Sequence, residues 1–148
     1  MICAAVVGLG VGNHHALAIQ DNPDCELKYL CDFDANKVAL FKKEQSNQNI
    51  QNLTFKELLK REELNMISLA SFDDHHYLQT IDALNANKHV FVEKPICQTW
   101  DQLISLHKVF QNKSCGLMSN LVLRTSELFR FVQNKITNGE LGEIFYFE

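Results

Sequence analysis

Several things are scarce in this 148-residue sequence, and each scarcity excludes a class of protein. It has 6 Gly and 2 Pro and shows no internal repeat or low-complexity tract, which removes collagen-like and disordered chains. It has no basic excess: 14 Lys and Arg stand against 18 Asp and Glu, a net charge of −4. Nucleic-acid phosphate needs clustered cations, and the densest runs, Lys42-Lys43 and Lys60-Arg61, are each followed by glutamate and read as solvated helix faces. No C-x-x-C pair occurs among the five cysteines, an odd number, so a disulfide scaffold is not expected. Reduced thiols and a cytoplasmic location are. No apolar run reaches the roughly 18 residues of a membrane span. The apolar start has no Lys or Arg before it and is soon broken by glycines, so it reads as a buried strand rather than a signal peptide or membrane segment.

What is present is an alternation of strand-like and helix-like segments. Apolar runs at Ile2–Val7, Glu26–Cys31, Met66–Ala70, His89–Val92 and Gly116–Asn120 read as strands, with a short one near Ile50–Leu53. Between them lie helical patterns at Asn13–Gln20, Ala35–Glu44, from Phe55, at His75–Ala86, from Thr99 and at Thr125–Thr137, the last ended by Gly139. Caps are expected at Asp34, at Thr54 with Glu57 in a capping box, at Thr99 with Gln102, and at Asp73 or Asp74. The expected inward faces are Val38, Leu40 and Phe41 in one helix, and Leu78, Ile81, Ala83 and Leu84 in another. Leu128, Phe131, Val132 and Ile136 form a third. This order with short connections predicts an α/β domain, a doubly wound Rossmann-type parallel sheet with helices on both faces.

The first strand and first helix are joined by Val7-Gly8-Leu9-Gly10-Val11-Gly12-Asn13. A turn of this kind lets a backbone approach a pyrophosphate at a helix N-terminus. Gly8, Leu9, Gly10, Val11, Gly12 and Asn13 are therefore the candidate phosphate-facing residues. Asp32 ends the second strand 20 residues after Gly12, where a carboxylate can accept from adenosine ribose hydroxyls. Phe33, not Arg, follows it, so NAD is favoured over NADP. The spacing is G-x-G-x-G rather than G-x-G-x-x-G. A methyltransferase loop shares that spacing but usually has an acid two residues before its first glycine, where this chain has Val6. S-adenosylmethionine stays the competing ligand.

A second informative segment is Lys88-His89-Val90-Phe91-Val92-Glu93-Lys94-Pro95. It puts Lys94 just past a strand's C-terminal end, where open parallel sheets bind ligands. With the glycine turn trailed by His15-Ala16, with Asp32, with Ser71-Phe72-Asp73-Asp74-His75-His76, with Leu123-Arg124 and with Gly139-Glu140-Leu141-Gly142, this segment resembles the glucose–fructose oxidoreductase and inositol dehydrogenase family, Gfo/Idh/MocA. Asn87 stands where that family's hallmark has glycine. The resemblance implies an NAD-dependent oxidoreductase passing hydride between nicotinamide and a secondary alcohol of a sugar, polyol or sugar derivative. Lys94 would be the catalytic lysine at the substrate oxygen. Glu93 and Ser71 would line the nicotinamide side, and His76 would sit near the nicotinamide or its ribose.

The family's second α/β domain is expected to be missing. Residues 1–123 would be the dinucleotide-binding domain. Residues 124–148 would be the connecting helix and the first strand, Ile144–Phe147, of the next. That strand is expected to pair with the domain's own edge or with another copy, giving a homo-oligomer. The chain by itself is expected to be weak or inactive, and a non-catalytic NAD-binding module that needs a partner chain is the alternative. No metal site is expected, since His14-His15 and Asp73-Asp74-His75-His76 lack helical ligand spacing.

Overall fold

The computed structural model describes residues 1–146. Six strands run in chain order as β1 (Ile2–Val7), β2 (Cys25–Cys31), β3 (Gln51–Asn52), β4 (Met66–Leu69), β5 (His89–Val92) and β6 (Leu117–Ser119). The helices are α1 (Gly12–Asp21), α2 (Ala35–Glu44), α3 (Phe55–Leu59), α4 (Asp73–Asn85), α5 (Trp100–Phe110) and α6 (Glu127–Thr137). A 3₁₀ turn at Val122–Thr125 precedes α6. The strands form one sheet in the order β3-β2-β1-β4-β5-β6, with every pairing parallel. This is the doubly wound order, and the chain reverses its direction of progress between β1 and β4.

Central β1 is buried along Cys3–Val7, and alternate residues supply two cores. Ala4 and Val6 join Leu30, Val38 and Phe41 on one face. Ala5 and Val7 join Tyr29, Leu69, Leu84 and Val92 on the other. A strand covered on both sides must be apolar at successive positions, which is why Ile2–Val7 reads as an unbroken run.

Local signals fix the helix starts. Asp34 accepts from the Asn36 N–H at 3.0 Å and caps α2. Thr54 and Glu57 form a reciprocal capping box on α3, and these bonds hold the Glu57 carboxyl below its ordinary range. Thr99 accepts from the Gln102 N–H at 3.2 Å. The cap expected at Asp73 or Asp74 is corrected: Phe72 takes the N-cap position, without a side-chain bond, and both aspartates lie in the first turn of α4. Carboxylates there are stabilised by the helix dipole.

Two expected inward side chains face out, Leu40 at 56% and Leu78 at 61% exposure. Each stands two residues from a buried position, Val38 and His76 respectively, and two residues turn a helix by about 200°. The last helix begins at Glu127 rather than Thr125, and none of its residues is buried. It ends as expected at Gly139 (φ +73°), with the Glu140 N–H donating to the Lys135 carbonyl. Ile144–Tyr146 form no strand, and Phe147 lies outside the described residues.

Candidate dinucleotide cleft

Strand ladders deliver the site residues to one end of the sheet. Beyond the last strand pairs, the N–H groups of Gly8, Ala70, Glu93 and Asn120 donate to the carbonyls of Cys31, Val7, Leu69 and Val92, each at 2.8 Å. The β1, β4, β5 and β6 ends are thereby fixed side by side.

The three turn glycines do different work. Gly8 has φ +85°, and a Cβ there would lie 2.3 Å from the Ala70 carbonyl oxygen. Gly12 opens α1, and its Cβ would come within 3.0 Å of Val6 and Ala70 side chains, so it sets how closely the helix packs on the sheet. At Gly10 a Cβ would meet nothing within 4 Å. Leu9 is buried, Val11 is exposed, and Asn13 is half-buried in the first turn of α1. The Gly10 and Val11 N–H groups have no hydrogen-bond partner among the described residues. Open space at Gly10, free N–H groups and a helix start together fit a pyrophosphate.

Asp32 closes the turn from β2. Its Oδ2 accepts from the Leu9 N–H at 2.6 Å and its Oδ1 from the Asp34 N–H at 2.8 Å. Lys37 places its ammonium 4.0 Å from Oδ2 and over the Phe33 ring, 5.3 Å from the centroid. Phe33 stacks on Phe72 across the cleft mouth, with ring centroids 5.9 Å apart and planes 27° apart. Both rings are mostly exposed. Behind them lies a cavity of about 840 Å³ lined by Gly8, Gly10, Asp32, Phe33, Ser71 and Phe72 among others. That volume suits a dinucleotide-sized ligand. Ser71 donates its hydroxyl to Gln79 Oε1 at 2.6 Å. Cys31 also faces the cavity, and its thiol is pushed up to about 11 by burial first and by the Asp32 carboxylate second.

Past β5 come Glu93, exposed Lys94 and Pro95, joined to Lys94 by a cis bond. The Lys94 ammonium forms no ion pair among the described residues. Glu93 is buried. Its Oε1 accepts from Asn120 Nδ2 at 2.6 Å and from the His15 ring at 2.9 Å, and its Oε2 from the Lys94 N–H at 3.3 Å. Burial pushes its carboxyl up, but these bonds outweigh burial and hold it below the ordinary range. His15 also meets the Ser68 hydroxyl at 2.8 Å. Serine, histidine and carboxylate stand in a row here, yet Ser68 is only 1% exposed and no substrate carbonyl could reach it.

His76 is buried and is not among the residues that line the cavity behind Phe33 and Phe72. Its two ring nitrogens lie 2.8 Å from the Pro95 carbonyl and 3.0 Å from the Ser71 carbonyl, so it fastens two cleft loops from behind. Asn87 has φ +56°, a left-handed conformation that asparagine tolerates, which accounts for its standing in a glycine position. Sequence reasoning missed Lys37, Phe72, Ser68 and Asn120. Only Lys37 had a local signal, one helical turn past the capping Asp34. Among the described residues no group of three or more His, Cys, Asp or Glu could hold a metal ion, and no helix is long and apolar enough to cross a membrane.

Residues 2–121 match the Gfo/Idh/MocA family model, described as an oxidoreductase family with an NAD-binding Rossmann fold. Over 133 residues the chain is 27% identical to glycosyl hydrolase family 109 protein 1 of Shewanella sp. (strain MR-4), which covers 83% of this chain and 28% of that protein. It is similar to the crystal structure of myo-inositol 2-dehydrogenase from Lactobacillus plantarum, with TM-score 0.86 and 26% identity over 97% of this chain and 43% of that one. Scyllo-inositol dehydrogenase from Lactobacillus casei, with bound NAD(H) and scyllo-inositol, has the same fold, with TM-score 0.87 at 24% identity over 97% of this chain and 43% of that one. The chain thus spans well under half the length of these proteins.

Proposed function

The chain belongs to the Gfo/Idh/MocA oxidoreductase family with its NAD-binding Rossmann fold, and we propose that it binds NAD for hydride transfer to and from a secondary alcohol of a sugar, polyol or sugar derivative. The carrying observation is that an open glycine cradle and Asp32 line a dinucleotide-sized cavity, while Lys94, without an ion pair among the described residues, lies two residues past β5 at the same end of the parallel sheet. The hydride chemistry is supplied by the nicotinamide when it is bound.

The residues of this chain bind, orient and hold protons. The Gly10 and Val11 N–H groups donate to the pyrophosphate. Each Asp32 oxygen holds one backbone N–H, and the negative charge this fixes in the cavity wall disfavours a 2′-phosphate. Phe33 and Phe72 give the adenine a flat apolar surface. Lys94 holds a proton at Nζ beside the substrate oxygen, where its charge favours developing alkoxide. Glu93 does not act as the proton carrier, because three donors stabilise its ionised form.

Residues 124–148 belong, on this proposal, to the connection into a substrate-binding domain. The inositol dehydrogenase neighbours support a polyol substrate, and the glycosyl hydrolase relative widens the class to glycosides. Titration with NADH, followed by nicotinamide fluorescence, tests the cofactor half. Saturation below millimolar NADH, with weaker NADPH binding, is expected; no saturation overturns the proposal.

A further inference from the structure

The glycine turn and the Lys94 loop are tied together by side chains that neither pyrophosphate nor ribose binding requires. His15 lies four residues into α1, on the helix whose start faces the pyrophosphate. Its Nδ1 is 2.8 Å from Ser68 Oγ on β4 and its Nε2 is 2.9 Å from Glu93 Oε1, while Phe91 packs edge-on at 5.3 Å. An ionised carboxylate only accepts, so the His15 Nε2–H donates to Glu93. Asn120, beyond β6, donates to the same Glu93 oxygen at 2.6 Å. The other oxygen takes the Lys94 N–H. Three donors, from α1, from beyond β6 and from the Lys94 backbone itself, converge on one buried carboxylate.

We infer that His15 and Asn120 are positioning residues that hold Glu93, and through it the Lys94 charge, at the nicotinamide end of the cleft. The inference rests on the proposed placement of Lys94 beside the nicotinamide. Neither residue needs to touch the cofactor. Their effect is to keep a carboxylate from swinging and a lysine from wandering, so that the cation stands at a fixed distance from a ring that is positive when oxidised and neutral when reduced. A fixed cation there favours NADH over the oxidised cofactor. It leaves the adenosine diphosphate half untouched.

The experiment measures calorimetric affinities of the full chain for NADH, oxidised NAD and ADP-ribose, which lacks nicotinamide. Lys94→Met sets the reference: loss of the charge is expected to lower NADH-over-NAD selectivity about fivefold, with ADP-ribose unchanged. His15→Leu and Asn120→Leu are expected to lower selectivity by a similar factor. The double variant should do no worse than either, because both act on one carboxylate. His15→Gln, whose amide can still donate to Glu93, should restore it. If Lys94→Met changes selectivity and neither His15→Leu nor Asn120→Leu does, the inference fails alone. The same holds if those two variants weaken all three ligands equally, which would mark a merely structural role. If Lys94→Met itself leaves selectivity unchanged, the placement of Lys94 fails and this inference falls with it. Asn120→Leu lies outside the glycine turn, so the test survives if His15→Leu does not fold.

Discussion

At the scale of single residues, the cleft is built by environment more than by residue type. The sequence singles out Asp32 and Lys94 as candidates because each lies just past a strand within a recognisable motif. The partners of this region are less legible. Lys37 reaches Asp32 locally, from the next helix, but Asn120 reaches Glu93 across 27 residues, a contact that exists only once the sheet order is set. Cys31 shows the same thing chemically. Burial and the neighbouring Asp32 carboxylate both oppose its thiolate, and the thiol is pushed up to about 11 from 9.0. At pH 8 its thiolate fraction is then about 100-fold below that of an ordinary thiol, and the greater nucleophilicity of a basic thiolate recovers about tenfold. Iodoacetamide should therefore label Cys31 about tenfold more slowly than a free thiol at pH 8, with the rate climbing until the pH passes about 11. Asp32→Asn removes the repelling charge and should speed labelling. Peptide mass spectrometry of timed samples reads both, and full-speed labelling at pH 8 would contradict the argument.

At the scale of elements, the strands were legible because their two-sided burial leaves unbroken apolar runs, and the helix starts because Asp34, Thr54 and Thr99 cap locally. Faces were read less well. Leu40 and Leu78 are apolar yet point outward, since hydrophobicity alone does not say which side of a helix meets the sheet. The glycine turn is the element where sequence and structure divide the labour most clearly. Three glycines look equivalent in the sequence, but only the structure separates a backbone requirement at Gly8, a packing requirement at Gly12 and an open cradle at Gly10. This separation carries a sharp expectation. Gly10→Ala puts a methyl group into free space, so the thermal midpoint should hold while NADH binding weakens by about tenfold or more through lost pyrophosphate contact. Gly8→Ala drives a methyl into the Ala70 carbonyl in a left-handed conformation and should lower the midpoint itself. Thermal melts and NADH titrations on the two variants check the contrast. Equal loss of stability in both would show that Gly10 serves the fold.

At the scale of the whole molecule, the sheet and its two cores end near β6, and the chain beyond that strand packs differently. Core residues come from β1 through α5 and Cys115, whereas no residue of the 3₁₀ turn or of α6 is buried. Yet α6 has the spacing of a helix with something to pack against: Leu128, Phe131 and Ile136 lie on it with exposures of 67%, 59% and 40%. Val122 and Leu123 add to the same stretch. These exposed apolar side chains leave one face of α6 uncovered by the domain. The sequence pattern showed the stripe but not that the domain leaves it uncovered, because periodicity reports amphipathicity and not its partner. Two consequences can be separated experimentally. The chain should enhance the fluorescence of an apolar dye such as ANS while fully folded. Leu128→Glu with Phe131→Glu should remove most of that enhancement. The same pair should leave the thermal midpoint almost unchanged, since exposed substitutions outside a packed core usually shift stability by no more than about 0.5 kcal/mol. A large fall in the midpoint would mean that α6 belongs to the core of this domain, and an unchanged dye signal would move the apolar surface elsewhere on the molecule.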